Sequence, residues 1–340
     1  MRPKICIAMI IFSIVIASVI TICLLWALPQ TVETQSTREN DSLTSTVLPA
    51  CDTISFFSFS GSGDRLLVGR VAATPELLVI DPTKGSMRTY RLDHPIIFAD
   101  SMNGQLIAVS DTLDLLSYDA AHEAWITNTR HSERRNVSDF VLNKSTHVGI
   151  ILFRNATYDV ATIDIEKGEI HNFSLDAERK VATALNEWCY IMSYSGRVWR
   201  TKTFGQCDEM RPAGEIGKPK LHLCVGLEKG KQVVVLDPHH AMNVFATVPD
   251  VTLSKSIDVH RDSIRCMCPG LEDDSIVIAG GGGNTDPGFV AVLKDGKELG
   301  RIVTPFGPVN YLAISPSQRK LAMMNVPTKV FWLDWSQVAK

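Results

Sequence analysis

Hydrophobic positions in this chain fall into two unlike patterns. Residues 5–28 (ICIAMIIFSIVIASVITICLLWAL) form one run without a charged residue. From about residue 52 onward the apolar residues gather instead into short runs, rich in β-branched and aromatic side chains and bounded by Gly, Pro, Asp or Ser. Such runs predict short strands separated by tight turns. Many close on an Asp turn: LLVIDPTKG, LLSYDAAHE, ATIDIEKG, VVVLDPHH and FWLDW. Four runs make one unit of roughly 40 residues, and a repeat of that size with four strands per unit predicts a β-propeller.

The first unit reads ISFFSFS, DRLLVGRV, ELLVID, SMRTYRLD, and the second IIFADS, QLIAVS, LLSYD, AWITNTR. The third, VSDFVLN, HVGIILFR, VATIDIE, EIHNFSLD, is equally clean. The fourth ends in an irregular FGQCDEM, and the fifth is compressed to LHLCVG, QVVVLD, MNVFATVP. The sixth is clear, and the seventh (VNYLAIS, KLAMMN, KVFWLDW) stops after three strands. Residues 45–50 (STVLPA) can supply its missing outer strand. Joining the two termini in one sheet removes the open edge that invites aggregation. The expectation is an all-β propeller over residues 46–340 with seven blades. Six blades is the alternative, because units four and five are irregular, and a pair of β-sandwiches is the competing architecture.

The uniform run at residues 5–28 predicts a different element. As a helix it would extend about 36 Å, more than a bilayer core of roughly 30 Å. It ends in Trp26-Ala27-Leu28-Pro29, a poor cleavage site for a secretory signal. The segment therefore reads as an uncleaved transmembrane signal anchor, preceded by a cytoplasmic N-terminus at residues 1–4. Arg2 and Lys4 lie before it, whereas the next twenty residues offer Arg38 among Glu33, Glu39 and Asp41. The positive-inside rule then places the propeller outside the cytoplasm, in a periplasm, lumen or exterior. Residues 29–45, polar and without periodicity, read as a flexible stem.

Charge and cysteines narrow the partners. A formal net charge of −3 does not suit a nucleic-acid surface, which needs clustered Lys and Arg. Cys51, Cys189, Cys207, Cys224, Cys266 and Cys268 follow the anchor in no framework spacing and read mostly as buried free thiols. Asn-x-Ser/Thr occurs at Asn40 in the stem and at Asn136, Asn143, Asn155 and Asn172 in the propeller; the last four are candidate glycosylation sites for an extracytoplasmic domain.

Units six and seven resemble the WD-repeat family. His260 with Ile264 four residues later matches that family's approach to the innermost strand, and PVNYLAISP, KLA and VFWLD look like its successive strands. Ser315-Pro316 occupies the family's Ser-Pro turn, and Leu333-Asp334 its Trp-Asp position, with Trp332 one residue early. No unit carries a full Gly-His plus Trp-Asp set, so the repeats are degenerate. The resemblance covers residues 46–340 as architecture and only the last 80 or so with any specificity, and it implies a scaffold that binds other proteins.

Local chemistry adds little. Ala279–Asn284 (AGGGGN) lacks the helix and Lys-Ser/Thr of a phosphate loop and reads as a blade loop. His239-His240 sits at a turn, where adjacent side chains diverge, and Glu272-Asp273-Asp274 lacks the alternating ligands of a calcium loop. Trp125, Trp188, Trp199 and Trp332 read as inter-blade core. No catalytic residue, cofactor or metal is assigned, and no obligate homo-oligomer is expected. The function read from the sequence is a membrane-tethered, extracytoplasmic scaffold module whose protein partner is unknown. The alternative is a lactonase-like or quinoprotein-like propeller enzyme with a central-channel active site. A third reading reverses the orientation and faces the cytoplasm.

Overall fold

The computed structural model describes residues 31–33, 37–40, 43–102, 104–130, 137–154, 159–175, 180–193, 197–210, 223–227, 232–236, 241–246, 252–258, 264–281, 288–295 and 297–339. The proposed anchor at residues 5–28 lies outside them. Among the described residues no helix is long and apolar enough to cross a membrane.

Three strands come from the N-terminal segment: β1 (Thr31–Glu33), β2 (Thr37–Asn40) and β3 (Leu43–Val47). The first propeller sheet then runs outward as β4 (Thr53–Phe59), β5 (Leu66–Val71), β6 (Glu76–Ile80) and β7 (Ser86–Arg91). The second is β8 (Ile96–Met102), β9 (Gln105–Ser110), β10 (Leu115–Asp119) and β11 (Ala124–Thr129). The third is β12 (Val137–Asn143), β13 (Val148–Phe153), β14 (Val160–Asp164) and β15 (Glu169–Phe173). The fourth is β16 (Lys180–Leu185), β17 (Trp188–Ser193), β18 (Val198–Thr201) and the short β19 (Asp208–Met210). The fifth is β20 (Leu223–Leu227), β21 (Gln232–Leu236), β22 (Ala241–Ala246) and β23 (Thr252–Asp258). The sixth is β24 (Ile264–Pro269), β25 (Ser275–Gly280), β26 (Gly288–Lys294) and β27 (Lys297–Thr304). The last is β28 (Tyr311–Ser315), β29 (Lys320–Met324) and β30 (Lys329–Asp334), after which comes a single helical turn.

Pairing groups the strands into seven antiparallel sheets. Each inner strand lies against the next, from β4 through β8, β12, β16, β20 and β24 to β28, which returns to β4. This ring of sheets around a channel is a β-propeller. The apolar core is divided between the sheets, because alternate side chains of one strand point to opposite neighbours. Leu67 faces the second sheet among Ile96, Ala99 and Leu116, while Leu66 and Val68 face the last sheet among Ala322, Met324 and Trp332. Second strands are therefore buried on both faces and read as continuous apolar runs such as VGIILF. The Asp turns have a local cause. Asp81 Oδ1 accepts from the amides of Thr83 and Lys84 at 2.9 and 3.0 Å, and Asp164 Oδ1 repeats the pattern with Glu166 and Lys167.

The last sheet takes its fourth strand from the N-terminus. β3 pairs with β30, Thr44 opposite Trp332 and Val47 opposite Lys329. The seam is fastened on both sides. Trp332 Nε1 donates to Thr46 Oγ1 at 2.8 Å, and Leu48 N to Thr328 O at 2.8 Å. Further along, the fully buried Arg70 donates to Ala50 O at 2.6 Å and to Glu76 at 3.1 Å, holding the connection from β3 to β4.

Two expectations change here. The segment 29–45 contributes paired strands: β1 lies along the outer strand β7, and β2 along β3. Its Thr-rich composition resembles a linker, but β-branched Thr suits a strand whose pairing the rest of the fold supplies. The closing strand also starts at Leu43 instead of residue 45. In the fifth sheet the outer strand is β23, which the sequence reading did not separate from its surroundings.

The turns joining inner to second strands are bonded from sheet to sheet. Gln318 Nε2 donates to Asp64 O at 3.1 Å, Gly61 N donates to Asp100, Lys144 pairs with Asp100 at 3.0 Å, and Asn143 Nδ2 donates to Asn186 O at 3.0 Å. Gly63 serves this face with a φ of 74°, and a Cβ there would meet Ser317 Oγ at 2.8 Å.

Thr46→Val deletes the acceptor of the buried Trp332 Nε1, which then lies in the seam without a partner. The expected loss is about 1–3 kcal/mol in urea unfolding. Glu169→Gln, on an exposed outer strand, should stay within about 0.5 kcal/mol.

Candidate binding site at the channel mouth

Four of the seven inner strands share a local irregularity that shapes the channel. In β4, β8, β12 and β24 the pairing skips one residue, at Ser55, Ile97, Ser138 and Arg265 respectively. Such a bulge re-aims the side chains beside it. The residue after the skip is Phe56, Phe98, Asp139 and Cys266 in turn. One sheet thus carries a carboxylate where two others carry a phenyl ring and a fourth a thiol.

These bulges border a cavity of about 320 Å³ at one mouth of the channel, lined by Ser55, Phe56, Ile97, Asp139, Cys266 and Tyr311 among others. Aromatic rings form much of the wall. Phe98 lies 5.8 Å from Phe56 and 4.7 Å from Phe140, and Phe57 lies 6.0 Å from Tyr311. Between neighbouring sheets at the mouth, Arg265 donates to Asn310 Oδ1 at 2.8 Å, and Asn310 Nδ2 donates to Asn325 O at 2.7 Å. Arg265 is thereby committed to the adjacent sheet.

Asp139 is exposed to the channel water at its tip, with protein packed around the mouth on its other sides. Burial pushes its carboxyl up from 3.8 to about 6, against the opposing pull of the Phe140 amide, which donates to Oδ1 at 2.8 Å. Burial likewise raises the Tyr311 phenol and the Cys266 thiol. Cys189, Cys207 and Cys268 are pushed up to about 12, chiefly by burial. Neutral thiols of this kind are poor nucleophiles. The cysteines whose side chains are described are all free, Cys266 and Cys268 included.

The residues singled out in the sequence do not gather at this mouth. Asn143 is 1% exposed, and its Nδ2, the atom a glycan would occupy, donates to Asn186. Asn172 is half-buried on β15, while Asn136 and Asn155 lie outside the described residues. His239, His240, His260 and the glycines of AGGGGN beyond Gly281 also lie outside them. Glu272–Asp274 forms the turn between β24 and β25, closed by Ser275 N donating to Glu272 O at 3.1 Å. Among the described residues, no three His, Cys, Asp or Glu are grouped to hold a metal. Trp199 and Trp332 are buried between sheets, whereas Trp125 and Trp188 are half-buried at cluster margins. Asp139 was missed, although stacking TISFF, PIIFA, NVSDF and SIRCM on one another brings it out in the fourth place.

Ring, seam and channel define the class as an all-β propeller. Solved structures share this fold. The crystal structure of Chaetomium thermophilum Raptor aligns with a TM-score of 0.65 at 10% identity, covering 88% of this chain and 29% of that one. A chain in the crystal structure of a mitotic checkpoint complex aligns at 0.62 and 10% identity, covering 89% of this chain and 93% of that one. These neighbours are WD40 β-propeller proteins. This chain spans under a third of the Raptor chain's length. No family model and no curated protein sequence matches the chain.

Asp139 gives a pH signature with a definite sign. Its folded value lies above its ordinary one, so between pH about 4 and about 6 the native state holds the proton more tightly than the unfolded chain. Its contribution to stability is present below that window and is lost as pH rises through it. Asp139→Asn does not titrate, so its melting temperature should exceed that of the unsubstituted protein above pH 6 and converge with it near pH 4. A gap independent of pH would contradict the account. The raised thiols predict a second result: iodoacetamide at pH 8 modifies Cys189 and Cys268 slowly in the native protein and rapidly in urea.

Proposed function

We propose that this chain is a protein-binding scaffold, with each sheet acting as one blade of a WD-like ring and the channel mouth as part of its recognition face. Residues 5–28 tether it to a membrane, with the N-terminus cytoplasmic and the propeller extracytoplasmic. The observation that carries the scaffold reading is the ring itself. Its strands are consumed by pairing and its core by contacts between sheets, which leaves the turn-bearing faces and the mouth to meet partners. The fold likeness to Raptor and to a chain of a checkpoint complex supports the same reading by analogy. The enzyme alternative draws on Asp139, whose raised carboxyl suits proton transfer. It is the one acid among the described residues lining the mouth, and catalysis needs a second convergent group.

Full-length protein purified from membranes in mild detergent should carry a partner at near-equal amount. That partner should be lost from the Asp139→Arg, Asn310→Ala variant, provided the variant keeps its melting profile. Recovery of the protein alone, or a partner indifferent to the mouth, would contradict the reading. In a glycosylating secretory host, endoglycosidase should shift the protein's mobility, and joint Asn-to-Gln substitution at positions 40, 136, 155 and 172 should abolish the shift. Asn143→Gln alone should not change it. Unmodified protein in that host would contradict the extracytoplasmic placement.

A further inference from the structure

We propose a second recognition site, a groove between the first and second sheets that binds an acidic linear peptide. It rests on the scaffold reading but lies apart from the channel mouth. The groove encloses about 560 Å³, more than the mouth, and its lining includes Arg91, His94, Thr112, Asp114, Trp125 and Arg130.

Its walls are built rather than draped. The linker from β7 to β8 is fixed by Leu92 N donating to Pro75 O at 2.9 Å and by Asp111 N donating to Pro95 O at 2.8 Å. The loop from β9 to β10 is closed by Ser110 N to Asp114 O at 3.0 Å and by Asp114 N to Ser110 Oγ at 2.9 Å. Trp125 is held edge-on to Tyr118 at 5.5 Å and to Tyr90 at 6.2 Å, which gives the groove an aromatic wall fixed before any ligand arrives. A preformed wall lowers the ordering cost of binding.

Charge identifies the occupant. Four arginines elsewhere are neutralised by carboxylates, Arg65 by Asp81, Arg70 by Glu76, Arg197 by Glu209 and Arg301 by Glu298, while Arg200 and Arg265 are taken up by Trp188 and Asn310. Arg91 and Arg130 are exposed, line the same groove, and have no carboxylate partner among the described residues. The groove's buried acid, Asp114, already accepts the Thr112 hydroxyl at 3.0 Å. Two guanidiniums without a carboxylate partner among the described residues, beside a fixed indole, fit a Glu or Asp side chain flanked by an apolar one. The guanidinium forks take the carboxylate, and Trp125 takes the apolar neighbour. Asp93, exposed on the linker, opposes an acidic ligand, so its removal should strengthen binding.

The test uses full-length protein in mild detergent and a fluorescein-labelled peptide of alternating Glu and Leu, read by fluorescence polarisation. The expected result is saturable binding that weakens with salt and falls at least about tenfold in the Arg91→Glu, Arg130→Glu variant. It should tighten in Asp93→Asn and weaken in Trp125→Ala. Melting profiles establish that the variants are folded, and the exposed arginines make this the expected outcome. A matching Lys–Leu peptide that binds equally, or a Glu–Leu peptide indifferent to the arginine reversal, would overturn the proposal. So would a single-stranded oligonucleotide that binds as tightly as the peptide. If the peptide fails while a partner is still captured at the channel mouth, the groove assignment falls and the scaffold reading stands.

Discussion

Everything in this molecule depends on the pairing of β3 with β30. A ring of sheets has no stable intermediate size. Until the last sheet meets the first, two apolar faces and two edges stay open to water. The chain closes the gap with a strand from its other end, so that residues more than 280 positions apart, Thr46 and Trp332, share one hydrogen bond. The apolar cluster at this joint draws Leu66, Val68 and Leu78 from the first sheet and Ala322, Val330 and Trp332 from the last. Burial of that size favours closure by non-directional attraction, while the backbone ladder and the Trp332–Thr46 bond fix the register.

Closure also sets what the protein can offer a partner. Middle strands face neighbouring sheets on both sides, so variation is confined to turns, outer strands and the channel. The bulges at Ser55, Ile97, Ser138 and Arg265 repeat one backbone device around the channel, and the side chain that follows each is what differs. Asp139 departs from its Phe counterparts by setting a carboxylate among the rings of the mouth. Arg91 and Arg130 come from the ends of the outer strands of two neighbouring sheets and meet in one groove. Recognition chemistry is to be sought where a repeated architecture stops repeating itself.

Much of the architecture was legible in the sequence, because strands buried on both faces produce dense apolar runs and Asp turns mark their ends. Even the missing outer strand could be sought near the N-terminus, since a sheet of three strands ending in KVFWLDW needs a partner. What misled was composition. Thr31–Glu33 and Thr37–Asn40 look like linker and become strands only because β7 and β3 present edges to them. Asn143 looks like a glycosylation site, and local sequence does not reveal that its amide is spent on Asn186 in the next sheet. Asp139 could have been found by aligning the inner strands on one another. The groove could not have been, because it joins residues of a linker, a loop and an outer strand that only the packing of two sheets brings together.

The most direct test of this account is native-state hydrogen exchange across the seam. If closure by the N-terminal strand holds the ring together, the amides of Thr44–Val47 will exchange as slowly as those of Val330–Trp332, and the two sets will lose protection together as denaturant is added. Fast exchange at Thr44–Val47, with the β28–β30 amides still protected, would show that the last sheet stands without the strap and would contradict the account.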